Sequence, residues 1–354
     1  MGYKSYLDKN FGQEIVWNNL RLDEFDHMFL NGDAVLPSTA QLDAPNLEEE
    51  LELFKPDVVL NYGYYHKVQK RLYNWASSKK VPIVYMTDAE NRQKRKLWKS
   101  ILKYFYLSWR FRKISYFFTI GDENESYYKT YGADPKKFIR MHHPIDIDFY
   151  KNAYEDRVTL RKDIRDRYDI PERDFVMSVV GKLVHWKNQS HLIDLLYDLE
   201  SKGRKAHVIM LGSGAMMDEL KEKAKGLKQS RVHFAGFVDP LQLPSFYAAS
   251  DLYAHPASIE PHSLAISEAV YMGCPAIISD RCGSYGPDDD VQDGKNGYVY
   301  EFGNIAQLSQ QVIKLMDDEV LRHNFSEYSH QIAVKFQERS HRGCIDELRS
   351  RMGF

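Results

Sequence analysis

Apolar and polar positions alternate in blocks through the second half of the chain. Short runs rich in Val, Ile, Leu and aromatic residues are separated by longer segments with apolar residues at helical spacing. The apolar runs are 175–180, 207–211, 232–234, 252–254, 276–278 and 298–300, and the helical segments are 189–199, 216–224, 243–249, 263–272 and 305–316. Strands that alternate with helices predict a parallel sheet covered on both faces, and uninterrupted apolar runs are typical of its strands.

The first half has a less regular pattern. Its candidate strands are 27–30, 58–62, 83–86, 116–120 and 138–142. A long final helix is expected at about 326–352. The length of 354 residues fits two domains. We therefore expect an α/β protein with a first domain at 1–152 and a second at 153–334.

The composition is that of a globular protein, with 43% apolar and 28% charged residues. A net charge of −2 gives no sign of a nucleic-acid partner. The three cysteines, Cys274, Cys282 and Cys344, show neither a disulfide framework nor a metal-ligand spacing, which favours a reducing cytoplasm. No run of eighteen apolar residues and no signal peptide is visible in the sequence, so no membrane-spanning helix is expected.

The segment 258–280 carries the clearest chemical signal. Glu260 is expected in a loop, and Glu268 on the helix that follows it. Gly273 lies where that helix should end, and Pro275 prevents its continuation. The segment therefore places one carboxylate before a helix and one within it.

The start of this helix suits an anion. The amides of Ser263, Leu264 and Ala265 are its expected N-terminal donors, which have no partner inside the helix. Phosphates would bind these amides, and sugar hydroxyls would bind Glu260 and Glu268. The arrangement is typical of a site for a sugar nucleotide.

The same segment resembles the signature of the family-4 retaining glycosyltransferases, which have the GT-B fold of two Rossmann-like domains facing across a cleft. The matching positions are Glu260, Glu268, Ala269, Gly273 and Pro275. The resemblance implies retaining, metal-independent transfer of a sugar from a nucleoside-diphosphate sugar to a glycan or lipid-linked acceptor. An ordinary loop and helix of another α/β protein is the alternative interpretation.

A second match to this family follows the first strand of the second domain. Gly181 permits close approach of the backbone, and Asn188 is a plausible N-cap for the next helix. Lys182 and Lys187 could neutralise the charge of a departing diphosphate. Lys182 stands where the family often has Arg. Together with Glu260 these two lysines are the candidate catalytic residues, although solvated surface lysines are the alternative.

Two further turns of the second domain are weaker candidates for donor binding. Gly212 and Gly214 follow the second strand, but Met217 breaks a dinucleotide fingerprint, so no nicotinamide site is expected. Val238 lies in a turn that resembles the family's loop beside the nucleotide base. Each of these turns could equally be an ordinary strand-to-helix connection.

The resemblance also suggests roles around the two glutamates. Glu268 is the candidate for the ribose hydroxyls, because a carboxylate accepts two hydrogen bonds from a diol. Glu260 and His262 would face the donor sugar, although His262 could equally be a solvated loop histidine. The acidic run 288–290 lies in a Gly- and Pro-flanked loop that we expect to be solvated, and no metal or other cofactor is expected.

The candidates in the first domain concern the acceptor. His66, Asp88 and Glu90 follow predicted strands, but each is more often structural than functional. Residues 92–113 contain nine Lys or Arg and six aromatic residues, which is typical of a basic amphipathic helix. Such a helix could lie on an anionic membrane surface, at the inner face of the cell membrane, or be an ordinary solvated helix.

The resemblance also leads to expectations for the two ends of the chain. Relatives open with an apolar strand and a Gly-rich turn that residues 1–26 lack, so the first domain is expected without its opening strand. A C-terminal helix at about 335–354 would pack back on the first domain. The competing functions are a non-catalytic sugar-nucleotide-binding or scaffold protein and a GT-B epimerase that acts on a sugar nucleotide.

Overall fold

The computed structural model describes residues 5–8, 13–16, 26–28, 30, 42–92, 96–142, 145–338 and 341–353. These residues form two compact α/β units. The first contains 5–8, 13–16, 26–28, 30, 42–87, 96–119 and Tyr128–Ile139, and the second contains 88–92, Ile120–Tyr127 and the described residues from Arg140 onward. The α/β class with two units agrees with the sequence. The boundary near residue 152 and the packing of the last helix on the first domain stay predictions.

The first unit is built around a four-stranded sheet in the order β3-β4-β5-β6. Its elements are β1 (Ser5–Asp8), β2 (Gln13–Val16), α1 (Leu47–Phe54), β3 (Val59–Tyr62), α2 (Lys67–Lys79), β4 (Ile83–Met86), α3 (Leu97–Phe111), β5 (Tyr116–Thr119), α4 (Asp122–Thr130) and β6 (Phe138–Arg140), the last two being divided between the units. The pairs β3–β4 and β4–β5 are parallel, and β1 and β2 form a separate antiparallel pair. Four of the five strands predicted here are confirmed.

The predicted strand 27–30 is wrong. Residues 26–28 have no regular structure and are exposed, and residue 30 lies in a turn, while residue 29 lies outside the described part of the chain. A strand is stable only when its backbone groups pair with a neighbour, and the apolar pattern of this short segment did not supply one.

The second unit contains a six-stranded parallel sheet in the order β12-β11-β10-β7-β8-β9. Its elements are α5 (Ile147–Glu155), α6 (Arg157–Arg167), β7 (Val176–Val180), α7 (Ser190–Ser201), β8 (His207–Leu211), α8 (Met217–Ala224), β9 (Arg231–Gly236), α9 (Leu243–Ala249), β10 (Leu252–His255), α10 (Leu264–Tyr271), β11 (Ala276–Ser279), β12 (Gly297–Tyr300), α11 (Ile305–Asp317), α12 (Glu319–Glu338) and α13 (His341–Met352). All six predicted strands and the five predicted helices between them are confirmed. The predicted long last helix falls on α12 and α13, and residues 339–340 between them lie outside the described part of the chain.

The strand order reverses between β7 and β10. Chain connections leave these two central strands in opposite directions, so a crevice opens beyond their carboxyl ends, where ligands of such sheets bind. β10 alternates its side chains between two core layers, with Leu252 and Ala254 in one layer and Tyr253 in the other. The loops after β7 and β10 are therefore placed together by the topology.

The end of α10 follows the predicted pattern. Gly273 has a φ of +68°, its amide donates to Val270 O at 2.9 Å, and the Cys274 amide donates to Ala269 O at 2.9 Å. This is a Schellman motif, in which a left-handed glycine satisfies the last carbonyls of a helix. It directs the chain from α10 straight into β11.

Candidate functional site

Glu260 is fixed in place through its backbone. Its carbonyl accepts a hydrogen bond from the Gly283 amide at 2.8 Å. A Cβ atom at residue 283 would lie 1.9 Å from Pro261 O, so only glycine allows this close approach. The loop after β10 is thereby held against the loop after β11, and the position of the Glu260 side chain is set.

The Glu260 carboxylate binds two basic side chains on one oxygen. Lys187 Nζ and His255 Nε2 both contact Oε2, the histidine at 2.9 Å. Only 12% of the Glu260 side chain and 19% of the Lys187 side chain are exposed. Burial raises the pKa of Glu260, but the hydrogen bond from His255 and the charge of Lys187 outweigh it and lower the pKa to about 2. The group is a buried carboxylate ion.

His255 links Glu260 to the core of the second unit. Its Nδ1 lies 3.0 Å from the hydroxyl of Tyr253, two residues earlier on the same face of β10. Burial lowers the pKa of His255, although Glu260 opposes this effect. Nothing in the sequence singles out His255, because a histidine at the end of an apolar strand is usually a core residue.

The turn after β7 carries both candidate lysines. Gly181 has a φ of +148°, and its amide donates to Leu211 O at 2.9 Å. Lys182 is half-buried, and its carbonyl accepts from Gln189 at 2.9 Å. Lys187 ends a short 3-10 turn, His185–Lys187. The structure therefore brings Lys187 to Glu260, while Lys182 lies earlier in the same turn.

The predicted N-cap role of Asn188 is wrong. Asn188 has a φ of +50° and ends the 3-10 turn, and Gln189 occupies the cap position of α7. Asparagine tolerates the left-handed conformation because its short polar side chain bonds locally, which a cap and a turn end both exploit. The Asn188 amide donates to His185 O at 3.3 Å and so closes the turn that carries Lys187.

Gly212 and Gly214 are required by backbone contacts. A Cβ atom at residue 212 would lie 2.0 Å from Gly181 O, and one at residue 214 would lie 2.4 Å from Leu183 O. The Leu183 amide also donates to Ser213 O at 2.9 Å. The two turns after β7 and β8 therefore lock against each other. This packing gives both glycines a structural role beside any role in donor binding.

Glu268 lies one turn into α10 and binds two tyrosines. Tyr247 donates to its Oε2 at 2.8 Å, and Tyr150 also donates to the carboxylate. Burial raises the pKa of Glu268 above the usual value, against the hydrogen bonds of both tyrosines. The carboxylate retains acceptor capacity for further partners, since it offers about four lone-pair sites.

The start of α10 offers two amides rather than three. The Ser263 amide donates to Ser284 Oγ at 3.0 Å, so it is not available as predicted. Leu264 and Ala265 begin the helix, and amides in the first turn of a helix have no partner within it. Anion binding at this end therefore rests on Leu264 and Ala265.

The side chain of His262 is 2% exposed and faces two aspartates, so its interpretation as a solvated histidine is excluded. Its Nε2 lies 3.2 Å from Asp289 Oδ1 and 3.6 Å from Asp290 Oδ2. Both aspartates are buried, so the predicted solvation of their loop is wrong. Burial lowers the pKa of His262, but the two carboxylates outweigh it and raise the pKa above the usual value. The loop folds inward because charged side chains compensate one another there.

These three side chains also have the composition of a metal site. Their ligand atoms lie within 4.8 Å of one another, which makes them a cluster that could hold an ion among the described residues. Both carboxylates already have protein donors: the Asp122 amide binds Asp289 at 2.8 Å, and Ser267 Oγ binds Asp290 at 2.6 Å. These contacts account for the cluster as a buried charge network.

Val238 lies in the half-exposed turn after β9 and packs on a core cluster that includes Phe246. The preceding Gly236 has a φ of +71°, and its amide neighbour Phe237 is exposed. The turn therefore packs on the core through Val238 and exposes Phe237 to solvent. These environments fit both a loop beside a nucleotide base and an ordinary strand-to-helix connection.

The candidates in the first half have different environments. His66 in the first unit caps α2, with its amide donating to Gln69 Oε1 at 2.8 Å. Asp88 is exposed, whereas Glu90 is buried and accepts from the Arg92 amide. Glu90 and His66 therefore both have hydrogen-bond partners within the protein.

The predicted amphipathic helix within 92–113 is present as α3. Its buried side chains are Leu107, Arg110 and Phe111. Its exposed apolar side chains are Leu97, Trp98, Ile101, Leu102, Tyr104, Phe105 and Trp109. The exposed set follows helical spacing, so the apolar face points away from the core. Residues 93–95 lie outside the described part of the chain.

No helix among the described residues is both long and apolar enough to cross a membrane.

Comparison with known sequences finds that most of the second unit is similar to sugar-transferring enzymes. Residues 161–332 match the profile of the family described as glycosyl transferases group 1. Poly(glycerol-phosphate) alpha-glucosyltransferase of Bacillus subtilis is 29% identical over 169 residues, which are 48% of this chain and 24% of that protein. Alpha-D-kanosaminyltransferase of Streptomyces kanamyceticus is 27% identical over 182 residues, 51% of this chain and 45% of that protein. The chain thus spans about a quarter to a half of these relatives.

Comparison with solved structures covers both units. Anabaena HepE, solved in complex with UDP and glucose, has a TM-score of 0.64 at 18% identity, over 88% of this chain and 82% of that one. Sucrose-phosphate synthase from Thermosynechococcus elongatus has a TM-score of 0.66 at 13% identity, over 87% and 77%. At these identities the likeness shows the fold, which is that of GT-B proteins.

Proposed function

Because residues 161–332 match the glycosyl transferases group 1 family, we propose that the chain transfers a sugar from a nucleoside-diphosphate sugar to a glycan or lipid-linked acceptor. The observation that carries the proposal is the ion pair of Lys187 with Glu260 beyond the carboxyl ends of β7 and β10. This is the crevice where a parallel sheet of this order binds ligands.

Each group around the crevice has a proposed task. Lys182, Lys187 and the amides of Leu264 and Ala265 bind the diphosphate. The lysines act most strongly as negative charge grows on the leaving phosphate, which lowers the barrier to bond breaking. Basic side chains and a helix end together supply the positive charge that such a leaving group requires.

The two glutamates act on hydroxyl groups. Glu260 accepts from the donor sugar through the oxygen that Lys187 and His255 leave unoccupied. Glu268 accepts from the ribose, as a carboxylate with remaining lone pairs can. We further propose transfer with retention and without a metal, since the lysines take the place that a cation would have at the diphosphate.

The experiment is a nucleotide-release assay with UDP-, GDP- and ADP-linked sugars, run with and without a short glycan or a polyprenyl-phosphate sugar as acceptor. Acceptor-dependent release that Glu260→Gln abolishes supports the proposal. Binding without release indicates a scaffold, and conversion of the donor sugar without an acceptor indicates an epimerase. Proton NMR of the product tests retention, and unchanged release in EDTA tests independence from metal.

We also propose that the protein works at the cytoplasmic face of a membrane, on an acceptor held there. This proposal rests on α3 in the first unit. Trp98 is 58% exposed and Phe105 is 68% exposed, and Lys96 and Lys99 beside them are exposed too. Aromatic side chains enter the headgroup boundary, while lysines pair with anionic lipids, so this surface suits an anionic bilayer. Co-flotation with phosphatidylglycerol vesicles, but not with phosphatidylcholine vesicles, tests it.

A further inference from the structure

We propose that His255 is a positioning residue for Glu260, which holds the carboxylate so that its second oxygen faces the donor sugar. The inference rests on the proposed function, because it assigns a task within the same site. Lys187 is already a candidate at this carboxylate. His255 adds a second, neutral anchor that reaches it from within the sheet.

The geometry supports an anchor rather than a chance contact. His255 is 2% exposed, and its two ring nitrogens lie 2.9 Å from Glu260 Oε2 and 3.0 Å from the Tyr253 hydroxyl. Both ring nitrogens are therefore occupied, which fixes the plane of the ring. Because His255 belongs to β10 and both of its ring nitrogens have partners, it holds the Glu260 side chain in a fixed position relative to the sheet.

The partners also define which nitrogen carries the proton. The Glu260 carboxylate only accepts, so His255 Nε2 donates to it, and Nδ1 of the neutral ring accepts from Tyr253. Tyr253 keeps its proton because burial raises the pKa of its hydroxyl well above the usual value. The chain of donors therefore runs from Tyr253 through His255 to Glu260.

Both anchors of Glu260 bind the same oxygen. Lys187 and His255 contact Oε2, and none of the contacts described for Glu260 involves Oε1. The two donors at Oε2 restrict rotation of the Glu260 carboxylate. We therefore expect Oε1 to face the bound donor sugar. The titratable groups that face Glu260 are Lys187 from the turn after β7, His255 and Tyr253 from β10, His262 from the following loop and Cys282 from the loop after β11.

The first test needs no ligand. Carbon-13 NMR of protein labelled at the glutamate carboxyl follows the titration of Glu260, with its signal assigned by loss in Glu260→Gln. His255→Leu removes a hydrogen bond that lowers the pKa of Glu260, so its midpoint should rise. His255→Gln retains an amide donor near the place of Nε2 and should restore most of the shift. His207→Leu, which removes another buried strand histidine, should leave the midpoint unchanged.

The second test uses the UDP-, GDP- or ADP-sugar that the wild type turns over. His255→Leu should lower kcat at least tenfold and leave the Kd of the matching nucleoside diphosphate within twofold, because that probe lacks the sugar. His255→Gln should recover most of kcat. Tyr253→Phe keeps the ring volume but removes the hydroxyl that bonds His255, so it should lower kcat severalfold. This variant replaces His255→Leu in the test if His255→Leu does not fold.

The outcomes separate the two proposals. A wild type that neither binds nor turns over any probe overturns the proposed function. In that case the carboxyl titration still tests whether His255 holds the Glu260 carboxylate. A Glu260 midpoint that His255→Leu and Tyr253→Phe leave unchanged overturns the inference, even in an active transferase. Equal losses of kcat in His255→Leu and His255→Gln, with weaker diphosphate binding, would assign His255 a merely structural role.

Discussion

Lys187 and Glu260 lie 73 residues apart in the sequence, and their side chains form an ion pair beyond the ends of two adjacent strands. The strand β7 leads to the lysine and β10 leads to the glutamate. Because these strands flank the point where the sheet order reverses, the pair lies where a parallel sheet binds its ligand.

Replacement of Lys187 by Ala should damage turnover more than donor affinity. The ammonium group meets charge that grows in the transition state, so kcat should fall by about 10²–10³-fold, as for other lost electrostatic stabilisers. Steady-state kinetics provide the measurement, and Lys223→Ala, which breaks a surface ion pair with Asp194, is the matched control. A raised KM for the donor at constant kcat would make Lys187 a uniform binder instead.

Replacement of Glu268 by Ala should weaken donor binding by about 1.5–3 kcal/mol, the usual contribution of hydrogen bonds to a charged group. It should also destabilise the fold by about 1–3 kcal/mol, because the buried hydroxyl of Tyr247 loses its acceptor. Calorimetry measures the affinity and urea denaturation the stability. Tyr247→Phe is the control, because it removes the same hydrogen bond but keeps the Glu268 carboxylate for the donor. An unchanged affinity in folded Glu268→Ala would remove this residue from the site.

The exposed face of α3 should determine vesicle binding. Trp98→Ser combined with Phe105→Ser removes two large apolar side chains, each contributing about 1.5–3 kcal/mol when buried. Lys96→Gln with Lys99→Gln should cost about 1 kcal/mol for each charge, and this part should fade at high salt. Flotation with anionic vesicles measures both, and Val320→Ser, at an exposed position of α12, is the control. A wild type that stays unbound at low salt contradicts the proposal.

Acid should destabilise the protein through a histidine pair in the second unit. His207 Nδ1 lies 3.0 Å from His233 Nε2, and burial lowers the pKa of both rings, that of His233 to about 4. An unfolded histidine has a pKa of about 6.5, so the unfolded chain binds protons first as the pH falls. Stability from His233 is therefore complete above about pH 6.5 and is lost towards about pH 4.

Urea denaturation at several pH values between these limits measures the effect. His233→Phe should reduce the loss of stability on acidification, because the aromatic ring packs without a proton to gain. His323→Phe, at an exposed position, should lose as much stability as the wild type. Equal pH dependence in His233→Phe and the wild type would contradict this role for the pair.

Gly212→Ala should destabilise the second unit strongly, because its Cβ would lie 2.0 Å from Gly181 O. The left-handed backbone costs about 1–2 kcal/mol for alanine and the clash about 1–3 kcal/mol more. Gly236→Ala is the matched control: its φ of +71° is also positive, but a Cβ there meets no atom within 4 Å. Urea midpoints compare the two variants. Similar losses in both would show that the turn after β8 can move.

The sequence by itself determined the second unit and its motif. Six strands and the helices between them follow from apolar runs and helical spacing, and Gly273 marks the end of α10, as the structure confirms. These features are local: buried strands need continuous apolar residues, and a helix end needs a left-handed residue. The position of Glu260 before a helix and of Glu268 within it could be read for the same reason.

The tertiary structure decided which residues meet. Lys187 became a partner of Glu260 only because β7 and β10 are adjacent in the sheet, and Asp289 and Asp290 are buried only because the loop after β11 folds onto His262. Likewise, the clash that requires Gly212 involves a carbonyl from another loop. Contacts between residues far apart in sequence depend on chain topology and on compensation of buried charge, and neither leaves a periodic pattern along the chain.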